Sequence, residues 1–261
     1  MPIIDAALLP NSPLLLPGLK DGIRQAAIKT SRSVGEVGLE MSLRRPDIIF
    51  LLSSPSPDDQ LSKSGWAFLQ NSVVQLNYPS LGDFISQAEV KIAVGFTHRL
   101  KESLESVFPI PLISQANLPY TAGVPLLLLG KSILEIPLVY LQIPQQISLD
   151  NLSLVSRSLH EQLQSGSSRV ALLASGELGR VTKDNQVEAK LFNQQFLNFC
   201  QTDDWDSIFN LPIELLTASR QTIWSPAVLL KSLLPRKKIV FNAKSFEAPY
   251  EAGWLVAELA Y

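Results

Sequence analysis

Seven short runs dominate the sequence: IIDAALL (3–9), DIIFLLS (47–53), VKIAV (90–94), PLVYLQI (137–143), RVALLAS (169–175), KIVFNA (238–243) and GWLVAEL (253–259). Most are continuously apolar rather than alternating, which is what strands covered on both faces require. Helical spacing fills the intervals. Ile23, Ala26, Ala27, Val34, Val37 and Met41 recur on one face between Asp21 and Arg45. Thr97 is expected to cap the helix HRLKESLESVF, and Asp150 one carrying Leu152, Val155, Leu159 and Leu163. From Asp184 to Leu234 the pattern is largely helical, with turns near Asp203 and Pro212. Strands alternating with helices predict an α/β fold, a central mainly parallel or mixed sheet with helices on both faces. No repeat or linker divides residues 1–261, so one domain is expected.

Charge and cysteine content remove several functions. The formal net charge of -2 offers no electrostatic case for nucleic acid or an anionic membrane. The basic cluster Arg236-Lys237-Lys238 reads as a solvated lead-in to the apolar IVF. A single cysteine, Cys200, rules out an internal disulfide and a thiolate zinc cage. No charged segment leads an apolar one at the N-terminus. Lys131, Glu135 and prolines interrupt the apolar VPLLLLGKSILEIPLVYLQIP short of the about 20 residues a membrane span needs. A cytoplasmic location is the expectation.

Chemistry must come from few groups. His98 and His160, the two histidines, both fall on helical patterns away from strand ends and read as exposed helical residues. Without them a Ser-His-Asp triad has no base and an imidazole metal centre has no ligands. SGELG after RVALLAS lacks the spacing of a dinucleotide fingerprint and of a nucleophile elbow. The strand ends supply Asn11, Ser12, Ser54, Ser56, Asp58, Ser175, Glu177, Arg180 and, near the C-terminus, Glu247. Each taken singly is an ordinary turn or cap residue. Trp224, Trp254 and Tyr250 lie in segments that read as core.

Taken in order, the strand-end segments resemble the LigB-type class III extradiol ring-cleavage dioxygenase superfamily, in particular its Memo-like, AmmeMemoRadiSam-associated branch. That family's first strand ends in a P-H-P-P-like turn; MPIIDAALLPNSPLLLPG has the frame with Asn11 at the histidine position. RPDIIFLLSSPSPD is similar to the family's PDTIVLISPHAP, placing Ser56 at the second ligand. PYTAGVPL is similar to DHG-x-x-VPL, with Tyr120 in the histidine slot. Ser175-Gly176-Glu177-Leu178-Gly179-Arg180 is similar to SGDLSH, with Arg180 at the proton-shuttling histidine. FEAPYEAGWLVA is similar to the closing YEGPFGVGYAVA and retains a carboxylate at Glu247.

The resemblance implies ferrous iron in active relatives, held by two imidazoles and a carboxylate. Of those ligands only Glu247 is retained here, leaving Asn11 and Ser56 as vestigial neutral oxygen positions, and Arg180 cannot act as a base because its pKa stays above about 12. The expectation is therefore no cofactor, no metal and no catalytic residue. The protein would instead be a module binding a small polar or anionic ligand, or a protein partner, through Asn11, Ser12, Ser54, Ser56, Tyr120, Ser175, Glu177, Arg180 and Glu247. The alternatives are an iron-dependent ring-opening dioxygenase or related oxidoreductase with an altered site, and a metal-independent hydrolase using Ser12, Ser54 or Ser56. A carboxylate that has lost its cation needs another, so Arg180 is expected to pair with Glu177 or Glu247. A homodimer is expected on general grounds only.

Overall fold

The computed structural model describes residues 3–55, 65–235 and 238–261, so the readings placed on Ser56, Asp58, Arg236 and Lys237 lie outside it. The chain runs β1 (Ile3–Leu9), α1 (Asp21–Ala26), α2 (Ile28–Leu43), β2 (Ile48–Ser53), β3 (Ala67–Leu69), β4 (Val73–Asn77) and β5 (Gln87–Lys91). Next come α3 (Val94–Leu104), β6 (Leu112–Ile113), α4 (Tyr120–Leu129), α5 (Lys131–Leu134), β7 (Leu138–Gln142), α6 (Leu149–Ser165) and β8 (Val170–Ser175). The last part is α7 (Gln186–Thr202), α8 (Trp205–Phe209), α9 (Ile213–Ala218), α10 (Trp224–Leu233), β9 (Val240–Glu247) and β10 (Trp254–Ala260).

Eight strands form one mixed sheet in the order β6-β3-β7-β2-β8-β1-β10-β9. Its centre, β7-β2-β8-β1, is parallel. Side chains alternate between two cores: Ala6 and Leu8 of β1, Phe50 and Leu52 of β2, and Leu172 and Ala174 of β8 meet residues of α3 and α6–α10. Ala7 and Leu9, Ile49 and Leu51, and Ala171 and Leu173 meet α2, α4, α5 and the β4–β5 hairpin. Burial on both faces is why these strands read as unbroken apolar runs.

Several boundaries differ from the sequence reading. VKIAV does not join the main sheet as a strand: Val90 and Lys91 end β5, which pairs antiparallel with β4 in a separate two-stranded sheet, and Val94 begins α3. Thr97 is therefore inside α3, fully buried, with Ala93 as N-cap. Ser148, not Asp150, caps α6, its side chain accepting from the Asn151 N–H at 3.2 Å. β10 joins antiparallel to β1, and a short connection pairs β9 antiparallel to β10, so that β9 runs in the same direction as β1. Trp224 and Trp254 are buried as expected, but Tyr250 is exposed, in a left-handed turn with φ of 52°. The apolar stretch 124–144 divides into α4, α5 and β7, and among the described residues no helix is long and apolar enough to cross a membrane.

At the N-terminal edge of the sheet a charged network ties α2 to β1, β9 and β10. Arg44 Nη1 lies 2.7 Å from Asp5, and Lys244 Nζ lies 2.8 Å from Glu258 and 2.9 Å from Glu40. Lys244 sits at the register shift of β9, and such a bulge re-aims a side chain. Burial pushes the Asp5 carboxyl above its usual range, against the pull of Arg44; Glu258 beside it adds to the rise.

Candidate functional site

The parallel register places Leu9, Ser175, Ser53 and Gln142 side by side at the C-terminal ends of β1, β8, β2 and β7. In open α/β sheets this edge is where ligands bind. The residues just beyond it, Asn11-Ser12, Ser54 and Glu177, are thereby gathered from three strands. Gly176 makes the turn after β8 possible: a Cβ there would lie 2.5 Å from the Ile223 Cα, and the Gly176 N–H donates to the Leu9 carbonyl at 3.0 Å.

Most of these hydroxyls are already engaged. Ser175 Oγ donates to the Thr121 carbonyl at 2.8 Å. Ser53 Oγ shares hydrogen bonds with Thr121 Oγ1 at 3.2 Å and Tyr140 OH at 3.1 Å. Ser54 Oγ donates to the Pro144 carbonyl at 3.3 Å. The first turn of α4 thus closes over the ends of β2 and β8, with Tyr120 half-buried beside Thr121. No imidazole or carboxylate accepts from Ser12, Ser54 or Ser175 among the described residues.

Glu177 and Arg180 form the ionic part of the site. Arg180 Nη2 donates to Glu177 Oε2 at 2.5 Å, and the Trp254 indole N–H reaches Glu177 Oε1 at 3.4 Å. The Glu177 side chain is 8% exposed and that of Arg180 49%. Their loop is pinned by Glu177 N–H to Thr222 Oγ1 and Thr222 N–H to the Glu177 carbonyl, both 2.9 Å, and by Arg180 N–H to the Ser219 carbonyl at 2.9 Å. The β1–β8 register ends at Leu9 and Ser175, and Asn11 and Glu177 each follow two residues beyond it. Asn11 and Ser12 are buried, and Asn11 Nδ2 and Ser12 Oγ have no hydrogen-bond partner among the described residues.

Of the two carboxylates expected to pair with Arg180, Glu177 does so, and Glu247, at the end of β9, is engaged by α2 instead. It lies opposite Trp254 in the β9–β10 pair and its Oε2 accepts from the Thr30 N–H at 2.9 Å and the Thr30 Oγ1 at 2.5 Å. Thr30 is the third residue of α2, whose N-cap Ala27 has no side chain able to cap. Glu247 supplies that cap from the sheet, placing a negative charge at a helix N-terminus.

The donor set does not fit ferrous iron. Asn11 offers only a neutral amide where an imidazole ligand would be needed, and Glu247 is committed to α2. No three His, Cys, Asp or Glu residues converge among the described residues. The histidines stand apart on α3 and α6, half-buried rather than exposed, with His160 Nδ1 3.0 Å from the Leu233 carbonyl oxygen. Sequence reasoning missed Thr121, Thr222, Thr30 and the role of Trp254, because each meets its partner only through the tertiary fold.

The fold and this edge define an α/β protein built on a mixed eight-stranded sheet. Comparison with protein-family models and with curated proteins finds no match. Among solved structures, the chain is similar to the crystal structure of uncharacterized protein JW3007 from Escherichia coli K12. The likeness has a TM-score of 0.60 and 15% sequence identity over 98% of this chain and 99% of that one, and it bears on the fold alone.

Proposed function

We propose that this protein is a non-catalytic member of the LigB-type extradiol dioxygenase-like superfamily, and that the ends of β1 and β8 bind a small polar or anionic ligand. The observation that carries the reading is the pairing of Arg180 with the buried Glu177, at the sheet edge from which Asn11 and Ser12 also follow. A fixed guanidinium stands where relatives are expected to place an imidazole, so the local charge is balanced without a divalent ion. The unused donors at Asn11 and Ser12, with the exposed side of Arg180, favour an acceptor-rich ligand such as a carboxylate or phosphate.

Anaerobic reconstitution with ferrous iron tests the loss of metal. The purified chain is expected to retain no stoichiometric iron and to consume no oxygen with catechol. One equivalent of bound iron, abolished by Glu247→Ala, would overturn the reading in favour of an altered dioxygenase.

A further inference from the structure

A cavity of about 650 Å³ opens on the helical layer away from the strand ends, between α6, the α7–α8 turn, α8 and the end of α10. Its size suits a small molecule. Two of its buried polar atoms have no partner, and a half-buried ammonium stands beside them. Trp205 is 4% exposed, and its indole N–H has no acceptor among the described residues. Asp203 uses Oδ2 to accept the Ile239 N–H at 3.2 Å, while its buried Oδ1 meets no donor. Lys231 holds its ammonium 5.9 Å from the centre of the Trp205 ring and makes no hydrogen bond or ion pair among the described residues. Burial lowers its pKa, which Asp203 and Asp206 partly restore. Asp204 is different: its oxygens cap α8, accepting from Ser207 N–H at 3.1 Å and Ser207 Oγ at 2.7 Å.

The unfulfilled set has both signs. Lys231 and the Trp205 N–H are donors that suit an anionic acceptor, while the partnerless Asp203 Oδ1, with the exposed Asp206 also lining the cavity, suits a cationic donor. A simple anion would face the two carboxylates and a simple amine would face the ammonium. A buried polar atom left without a partner is costly, so a ligand that satisfies both kinds has the advantage. Leu152 and Leu234 add an apolar wall. We propose that this cavity binds an α-amino acid with an apolar side chain, its carboxylate held by Lys231 and the Trp205 indole and its ammonium by Asp203 and Asp206.

Calorimetry on the full chain with L-leucine, L-methionine and L-phenylalanine tests this. At least one is expected to bind saturably. The matching deaminated acid and decarboxylated amine should each bind at least about tenfold more weakly, the loss of roughly one charged contact. Trp205→Phe keeps the ring but removes the N–H, and Lys231→Met keeps the aliphatic stem; each is expected to weaken binding about tenfold or more. Asp203→Asn serves in place of either variant if thermal unfolding shows it has not folded. The proposal fails if none of the three amino acids binds saturably, if a truncated analogue binds as well as its parent, or if the folded variants bind unchanged.

Discussion

Arg180→Gln isolates the electrostatic argument for the strand-end site. Removing one partner of a fully buried ion pair costs about 3–5 kcal/mol, because the other charge is left desolvated. Here the guanidinium is half-exposed, and exposed pairs contribute only about 0–1 kcal/mol. The Trp254 indole, at 3.4 Å, gives Glu177 weak residual support. The structure lies between these limits, and the expected loss is about 1–2 kcal/mol. Urea unfolding followed by tryptophan fluorescence measures it as a fall in midpoint at constant slope. Glu177→Gln removes the charge that makes Arg180 necessary, so the double variant should be more stable than the sum of the single losses predicts. A coupling of about 1 kcal/mol is expected, and one within about 0.3 kcal/mol of zero would refute the reasoning. Arg180 would then be an ordinary surface side chain, and nothing at this edge would stand in for a metal's charge.

Glu247→Gln keeps the shape but weakens the cap on α2, and should cost about 1–2 kcal/mol in the same urea assay. Asp5→Asn should change the pH profile of stability. Because burial raises the folded-state pKa of Asp5 above its unfolded value, wild-type stability is fully present below the ordinary aspartate range and declines as pH rises through the folded pKa. The variant should escape that decline, so it should gain on wild type between acidic and neutral pH in parallel denaturation curves. Gly38→Ala should invert the usual helix rule: alanine ordinarily gains up to about 1 kcal/mol over glycine, but here its Cβ would lie 2.0 Å from the Leu129 carbonyl oxygen, and separating α2 from α4 should cost about 1–3 kcal/mol by urea unfolding. Cys200 is buried and its thiol pKa is pushed up by desolvation, so a thiol-reactive disulfide reagent should label it only as the protein unfolds.

The central strands were legible because their physics is local. A strand covered on both faces has to be apolar at every position, and β1, β2, β7 and β8 carry that mark in their own residues. Edge elements carry less of it. β9 has most of its side chains exposed or half-exposed, and β3 and β6 have only three and two residues. β5 misled for a related reason: its apolar Val90 buries against the same core as the main sheet, but in a hairpin set beside it, and only Ile92, just past β5, bridges to Leu138 of β7. Caps were read one turn or a few residues out, since Ser, Thr and Asp all qualify by type. At α6, Ser148 rather than Asp150 has the extended backbone a cap requires.

Glu247 shows most clearly what a sequence motif leaves open. A carboxylate at the end of a strand can serve a metal, an arginine or a helix N-terminus, and all three are chemically reasonable partners. Which one it meets is decided by residues far away in the chain. Ala27 cannot cap α2, the Thr30 N–H and hydroxyl therefore need an acceptor, and β9 delivers Glu247 to them across the sheet edge. Glu177, lying against Trp254 on the next strand, is left to Arg180. Two carboxylates that read alike in sequence thus have separate duties, one as a helix cap and the other as an arginine's partner. That division explains why the two substitutions should differ in kind. Loss of Glu247 should loosen α2, whereas loss of Arg180 should disturb the ends of β1 and β8 and any anion held there.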